Sequence, residues 1–364
     1  DIYRDEPGLA DLDFDSQCSR LFSSAFSTSD AYSQGLAALG CRTWEIICNA
    51  DAAQGRWASD RGLSPTGIIH DQRRAIVAAQ VEEFRPDVVY VFEWCPLGDR
   101  FIGELRDRVR LVAGEIASPL PKDRTFRGYD LVISSWPPIV GYFREEGIDA
   151  EHVRLGFDRR ILDLDRLPPR ETRFDVTFVG GFAESHPDRI PWLEQLLGEV
   201  DIDVFCYGIE RTREDSPIRK HFRGQAWGLE MYRVLQQSKI TLNRHARIDV
   251  RGTVNSEWCN NMRMYEATGV GTCLLTEWRP HLAELFEPDR EVATYRDTVE
   301  CAAKIRYYLD HPEERESVAC AGQRRTLRDH LYTDRMAELR DHFERRLGLK
   351  RTFRSRSIVP TTLK

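Results

Sequence analysis

From residue 41 almost to its end, the chain alternates strand-sized apolar segments with amphipathic helical stretches, and this alternation limits what it can fold into. The segment "PDVVYVF" (86–92) is nearly continuous in apolar residues, the pattern of a strand buried on both faces. "TWEIIC" (43–48), "RVRLVAGEI" (108–116), "YDLVISS" (129–135) and "EHVRLGF" (151–157) repeat the theme. "HDQRRAIVAAQVEEF" (70–84) and "IVGYFREEG" (139–147) read as helices between them, the latter closed by Gly147. Such alternation implies a parallel sheet covered by helices on both faces.

The period fails over "DRRILDLDRLPPRETR" (158–173), which is charged, carries Pro168-Pro169 and reads as a linker. A second α/β series follows. Its strands are "FDVTFVGG" (174–181), "DIDVFCYG" (201–208), "KITLN" (239–243) and "TCLLT" (272–276). Its helices include "DRIPWLEQLL" (188–197) and "LEMYRVLQQS" (229–238), the latter with Met231, Val234 and Leu235 on one face. "DTVE" (297–300) is a capping box opening a helix expected to bury Val299, Ala302, Ile305 and Leu309. The expected class is therefore α/β, with two Rossmann-like doubly wound domains facing a central cleft. Residues 1–160 form the first domain, 161–173 the linker and 174–334 the second domain. A helix over 335–349 packs back on the first domain, and the basic stretch 350–364 is a solvated tail. Residues 1–40 offer one helix, "SDAYSQGLAALG" (29–40), and no strand before it. The strand that a doubly wound domain needs there is expected upstream of Asp1 or disguised in the first 25 residues.

At 364 residues two domains are comfortable, and 41% hydrophobic with 30% charged residues is a globular balance. No apolar run approaches the ~20 residues that span a bilayer. The net charge of −7 disfavours nucleic acid as a partner. Nine cysteines without a CxxC pair suit a reducing compartment, and the cytoplasm is the expected location.

Ligands of open α/β sheets bind beyond the carboxyl ends of the strands, so the loops there hold the candidates. After the first strand of the second series, Gly180 and Gly181 let the backbone approach a ligand, and His186 and Arg189 add charge. A tight turn with an exposed histidine explains the same residues. After "KITLN", Asn243 leads into a locally basic loop with Arg244, His245, Arg247 and Arg251, suited to a pyrophosphate or simply solvated. Asn261 and Arg263 then stand at a helix N-terminus, Glu266 lies one turn on, and Thr276 ends the next strand. An exposed Arg263–Glu266 ion pair, worth under about 1 kcal/mol, is the plain alternative.

Residues 261–330, "NMRMYEATGVGTCLLTE" through His330, with "DVTFVGG" and "KITLNRH" in order before them, resemble the C-terminal half of GT-B glycosyltransferases. The likeness is to the spore-coat CgeB-like group near glycosyltransferase families 1 and 4. It implies a nucleoside-diphosphate sugar as donor, no cofactor, and a helix-borne glutamate, here Glu266, on the ribose. Arg263 and the preceding loop would hold the diphosphate. Retaining relatives often carry a second glutamate upstream, with seven residues between the two. The nearest here is Glu257, with eight residues between, which leaves the stereochemistry open.

A metal is not expected, because cationic side chains and helix N-termini stabilise the leaving diphosphate. The DxD triplets Asp163/Asp165 and Asp201/Asp203 read as incidental. The acceptor-side base is expected at Asp30, whose plain alternative is helix capping, or at Glu93 beside Trp94, whose ring offers a sugar platform. Glu115 and His70 are lesser candidates, and Trp57 is a second possible platform. The acceptor is a small molecule, glycan or protein. Competing functions are a nucleotide-sugar 2-epimerase of the same fold and a non-catalytic glycan-binding protein of the envelope or spore.

Overall fold

A computed structural model describes residues 2–348 and 360–363, apart from positions 65, 93–97, 122, 123, 164, 165, 168, 185, 251 and 256. Candidates Glu93 and Trp94, together with Arg251 and Asp165, lie outside the described residues. The chain divides into two compact units, Asp1–Arg154 with Thr333–Lys364, and Leu155–Tyr332.

The first unit holds β1 (Trp44–Ile46), β2 (Val88–Val91), β3 (Leu111–Glu115), β4 (Leu131–Ser134) and β5 (Ala150–His152). The second holds β6 (Phe174–Gly181), β7 (Asp203–Tyr207), β8 (Phe222–Gly224), β9 (Ser238–Asn243), a hairpin of β10 (Ile248–Val250) and β11 (Thr253–Asn255), then β12 (Cys273–Glu277) and β13 (Ala293–Tyr295). A last strand, β14 (Pro360–Leu363), belongs to the first unit.

The first sheet runs β1-β14-β2-β3-β4-β5 with every pairing parallel. Residues 2–40 supply helices and no strand among the described residues. The place between β1 and β2 is filled instead by Pro360–Leu363, with Thr361 opposite Trp44 on one side and Val89 on the other. Part of the stretch read as a solvated tail is thus a strand paired on both edges, which satisfies its backbone groups. Apolar residues of β2 and β3, all buried, form one core with Phe101, Ile102 and Leu105. The helix Tyr332–Leu347 packs into this unit, with Phe343 against Tyr90 and Arg346 paired to Asp149 at 2.7 Å.

The second sheet runs β13-β12-β9-β6-β7-β8, again all parallel. From β6 the chain winds outward through β7 and β8, then crosses to β9 on the other flank and continues to β12 and β13. The direction reverses between β6 and β9, the point at which open α/β sheets present a crevice at their carboxyl ends. The capping box forms, with Asp297 accepting from Glu300 N at 2.8 Å. The helix it opens, Thr298–Asp310, buries Cys301, Ala302, Ile305 and Tyr308, while Val299 is 75% exposed. The buried stripe is therefore rotated from the expected one, because Cys301 and Tyr308 outcompete Val299 for the core. Among the described residues no helix is long and apolar enough to cross a membrane.

Candidate active site

Arg189, the first residue of the helix Arg189–Leu197, ties the two strand ends of the reversal together. Its Nη1 donates to the Gly181 carbonyl at the end of β6 and its Nη2 to the Arg244 carbonyl just beyond β9, both at 2.9 Å. Its Nε is buried without a partner. Burial, reinforced by the positive charges of Arg263 and Arg244, pushes this guanidinium down to about 10. A cation held in that state gains from any anion that reaches it.

Arg263 and Glu266 come from the helix Met262–Gly269, for which Asn261 is the N-cap residue without a side-chain capping bond. Arg263 Nε donates to the Val179 carbonyl in β6 at 3.2 Å, fixing the helix start against the first strand. Its Nη1 stands 2.9 Å from Glu266 Oε2, and the two side chains are only 15% and 8% exposed. The solvated pair that would have been energetically trivial is thus a desolvated one, sensitive to loss of either partner. Burial raises the Glu266 carboxyl above its ordinary value, and the neighbouring Arg263 opposes this only in part. Glu266 also bears on the buried Tyr232 phenol of the helix Gly228–Gln236, which burial first and this carboxylate second push upward.

Around these charges lies a buried polar network. Asn243 Nδ2 donates to Thr276 Oγ1 at 2.9 Å, and Asn261 Nδ2 donates to Asn243 Oδ1 at 3.1 Å. His245 places Nδ1 3.3 Å from Asn261 Nδ2 and Nε2 3.0 Å from the Glu277 carbonyl. That arrangement requires Nδ1 to accept and Nε2 to carry the proton. Burial, with Arg279 beside it, depresses this imidazole to about 3. His245 is therefore a neutral positioning residue and not one of the loop's cations. Thr276 is likewise fully buried, with its Oγ1 3.3 Å from His245 Nε2.

The remaining predicted residues separate along similar lines. Arg244 stacks its guanidinium 5.4 Å above the Trp192 ring and remains at the site. Arg247 is consumed in a 2.6 Å ion pair with Asp188, and His186 is pushed down to about 3 by burial and by Arg189. Gly180 and Gly181 answer to packing: a Cβ at Gly181 would lie 1.9 Å from the Tyr207 ring, and one at Gly180 3.1 Å from Phe178. Asp201 and Asp203 pair with His221 and Arg223 at 2.9 and 2.5 Å. Glu257 is exposed. In the first unit, Asp30 is the N-cap residue of the helix Ala31–Ala38 without a capping bond, His70 is exposed, and Trp57 is buried in the core. Glu115 is buried at the end of β3, where it accepts hydrogen bonds from Tyr90 and, at 3.3 Å, from Tyr32. The sequence reading gave Arg189 only a passing role. An arginine at a helix start is ordinary, and its importance comes from carbonyls 8 and 55 residues away.

Residues 189–341, which contain Arg189, Arg244, Arg263 and Glu266 but not the β6 carbonyls that two of them contact, match the family described as glycosyl transferase-like. That stretch is a glycosyl transferase-like domain. The chain's two parallel-sheet units match GT-B glycosyltransferase structures in fold. A glycosyltransferase from Rickettsia africae superimposes with a TM-score of 0.57 at 12% identity, over 88% of this chain and 94% of that one. Sucrose-phosphate synthase from Thermosynechococcus elongatus gives 0.53 at 14% identity, over 78% and 79%. Anabaena HepE in complex with UDP-glucose gives 0.52 at 11% identity, over 75% and 82%. No curated protein matches the glycosyltransferase at the sequence level.

Proposed function

We propose that this glycosyltransferase takes its sugar from a nucleoside-diphosphate donor held on the second unit, without a metal ion or other cofactor. One observation carries the reading. Three guanidiniums, Arg189, Arg244 and Arg263, gather around the β6–β9 reversal, with Glu266 as the carboxylate paired there. A site that concentrates cations in this way is complementary to a dianionic or trianionic group. Departure of a nucleoside diphosphate builds negative charge on the diphosphate oxygens as the glycosidic bond breaks, and preorganised cations stabilise that transition state. Arg263 and Arg244 hold the diphosphate, with Arg189 behind them. Glu266 accepts hydrogen bonds from the ribose hydroxyls once the diphosphate has drawn Arg263 away. Asn243, His245, Asn261 and Thr276 keep these groups in place, and Gly180 and Gly181 let the Arg189 helix close on the strand end.

The complex of HepE with UDP-glucose supports a nucleotide sugar as the donor class. Asp30, at the opening of the helix Ala31–Ala38 of the first unit, is the acceptor-side base in this reading, and the acceptor carries a hydroxyl. The described cysteines form no disulfide, in keeping with a cytoplasmic enzyme.

Donor turnover tests the proposal. Purified protein incubated with UDP-, GDP- and dTDP-hexoses in EDTA should release free nucleoside diphosphate from one of them. Arg263→Ala and Asp30→Asn should both abolish release to acceptor. Release that requires added divalent metal would refute the metal-free mechanism, and release unaffected by Arg263→Ala would refute the site.

A further inference from the structure

Aspartates open several helices of this chain, and Asp30 does not cap its own. Asp13 and Asp297 are extended, at φ −64, ψ 164 and φ −140, ψ 178. Each carboxylate accepts at 2.8 Å from the third amide of its helix, that of Ser16 and that of Glu300. Extended backbone is what lets an N-cap side chain fold back on that amide. Asp30 sits instead at φ −99, ψ 16 and makes no such bond to its helix, Ala31–Ala38. Asp188 is turned the same way, but its helix has Pro191 in third place and so no amide there to cap.

The helix of Asp30 is capped all the same, by a residue from a strand. Its third amide, that of Ser33, donates to Glu45 Oε1 at 3.3 Å. Glu45 is the middle residue of β1 and is only 5% exposed. A carboxylate is costly to bury, and a hydrogen bond from a helix amide with no intrahelical partner offsets part of that cost. The positive end of the helix dipole favours the same placement.

The turn before Asp30 holds it out of the cap. Ala25, Ser27 and Ser29 take φ of +52, +56 and +46, a left-handed conformation that L-residues adopt only at a cost. Ser29 Oγ donates to the Phe22 carbonyl at 2.7 Å, and Ser33 Oγ to the Asp30 carbonyl at 3.1 Å, which pin the turn from both sides. Strain gathered in one turn points to a backbone held for function. Two residues beyond Asp30, the Tyr32 hydroxyl donates to Glu115 at the end of β3, so the helix starts at the carboxyl edge of the first sheet.

We propose that Glu45 is a positioning residue of the transfer reaction: by capping the helix Ala31–Ala38 it keeps the Asp30 carboxylate from folding back on Ser33, and so in its role as base. This rests on the reading of Asp30 as the acceptor-side base. Without Glu45 the Ser33 amide is orphaned, and Asp30, as the N-cap residue, is placed to take it. Each molecule in which it does so has lost its base, and the rate falls with the fraction that remains competent.

The test is steady-state release of nucleoside diphosphate by the full chain from its preferred UDP-, GDP- or dTDP-hexose, with water as the acceptor. Wild type is compared with Glu45→Met, which keeps the buried volume and removes the hydrogen-bond acceptor, and with Glu45→Gln, which keeps both. Glu45→Met should lower kcat by roughly 2- to 30-fold, the equilibrium equivalent of one cap, with KM for the donor unchanged. Glu45→Gln should recover most of the loss. A crystal structure of Glu45→Met should show Asp30 extended, with its carboxylate on the Ser33 amide. Wild-type kcat in Glu45→Met, or Asp30 unmoved in that structure, overturns the role of Glu45 and leaves the donor site standing. A loss that Glu45→Gln does not recover, or that comes with an equal rise in KM, overturns it as well, because general damage to the unit then explains the rate. If Glu45→Met does not fold, Glu45→Leu decides by the same readings. A wild type that turns over no donor overturns the donor reading, and the role of Glu45 in the reaction with it.

Discussion

The carboxyl ends of β6 and β9 in the second unit and of β3 in the first belong to sheets of the same kind, six parallel strands each, yet they present opposite chemistry. At β6 and β9, arginines gather, and the Glu266 carboxylate among them is already paired with Arg263. At the end of β3, a buried carboxylate, Glu115, is held by the phenols of Tyr32 and Tyr90, and Tyr32 stacks on Tyr90 with ring centroids 6.0 Å apart. The strands are interchangeable in pattern, and the residues just beyond them are not. Sheet architecture thus fixes where a ligand can approach, while strand-end side chains decide what charge it meets. An edge that gathers several guanidiniums is arranged to meet an anion, whereas one whose donors and acceptors satisfy each other is arranged to stay as it is.

That contrast can be broken most forcefully at the cationic edge. Arg263→Ala should lower kcat/KM by about 100- to 1000-fold, the range for losing one preorganised donor to a developing charge. Arg263→Lys should recover little, since a lysine cannot reach Val179 and Glu266 with separate donors. At the carboxylate edge the expected loss is in stability. Glu115→Ala removes the carboxylate that accepts from two buried phenols and should cost about 2–3 kcal/mol in chemical denaturation, with nucleotide binding intact in the folded fraction. Abolished nucleotide binding in a folded Glu115 variant would erase the distinction between the two edges.

A pH series sharpens the account of His245. Its folded-state value, about 3, lies below the ordinary 6.5, so below pH 6.5 the unfolded chain takes up a proton that the folded chain refuses. Stability should therefore fall as pH drops from 6.5 toward 3, by up to about 1.4 kcal/mol per pH unit from this residue. His245→Gln should flatten that slope. A smaller effect is expected at Gly181→Ala, about 1–2 kcal/mol, as the added methyl displaces the Tyr207 ring. Least of all should happen at the exposed Asp201. Asp201→Ala should change stability by less than about 0.5 kcal/mol and leave the response to Mg²⁺ unaltered. A magnesium requirement lost in that variant would restore the triplet as a metal site.

Much of this was legible in the sequence, for identifiable reasons. Long apolar runs such as Val88–Val91 cannot be placed except inside a sheet, so the alternation announced the class. Three-residue strands escaped: "FRG" of β8 and "ATY" of β13 have too few residues to show a period, and their pairing is decided by neighbours far along the chain. The strand Pro360–Leu363 escaped because its partners β1 and β2 lie some 270 to 320 residues earlier. At the site, the spacing of Arg263 and Glu266 before a glycine turn was visible, but burial was not, and burial changes a negligible pair into a consequential one. The same blindness promoted His245 to a cation.

The central claim is that the arginine cluster of the second unit binds the diphosphate of a nucleotide. It is tested most directly by calorimetric titration of UDP and GDP into wild type and Arg263→Ala, both in EDTA. The account predicts one nucleotide bound per chain without metal, and affinity at least about 30-fold weaker in the variant, the equivalent of some 2 kcal/mol. A wild type that binds neither nucleotide, or a variant that binds as tightly as wild type, would contradict it.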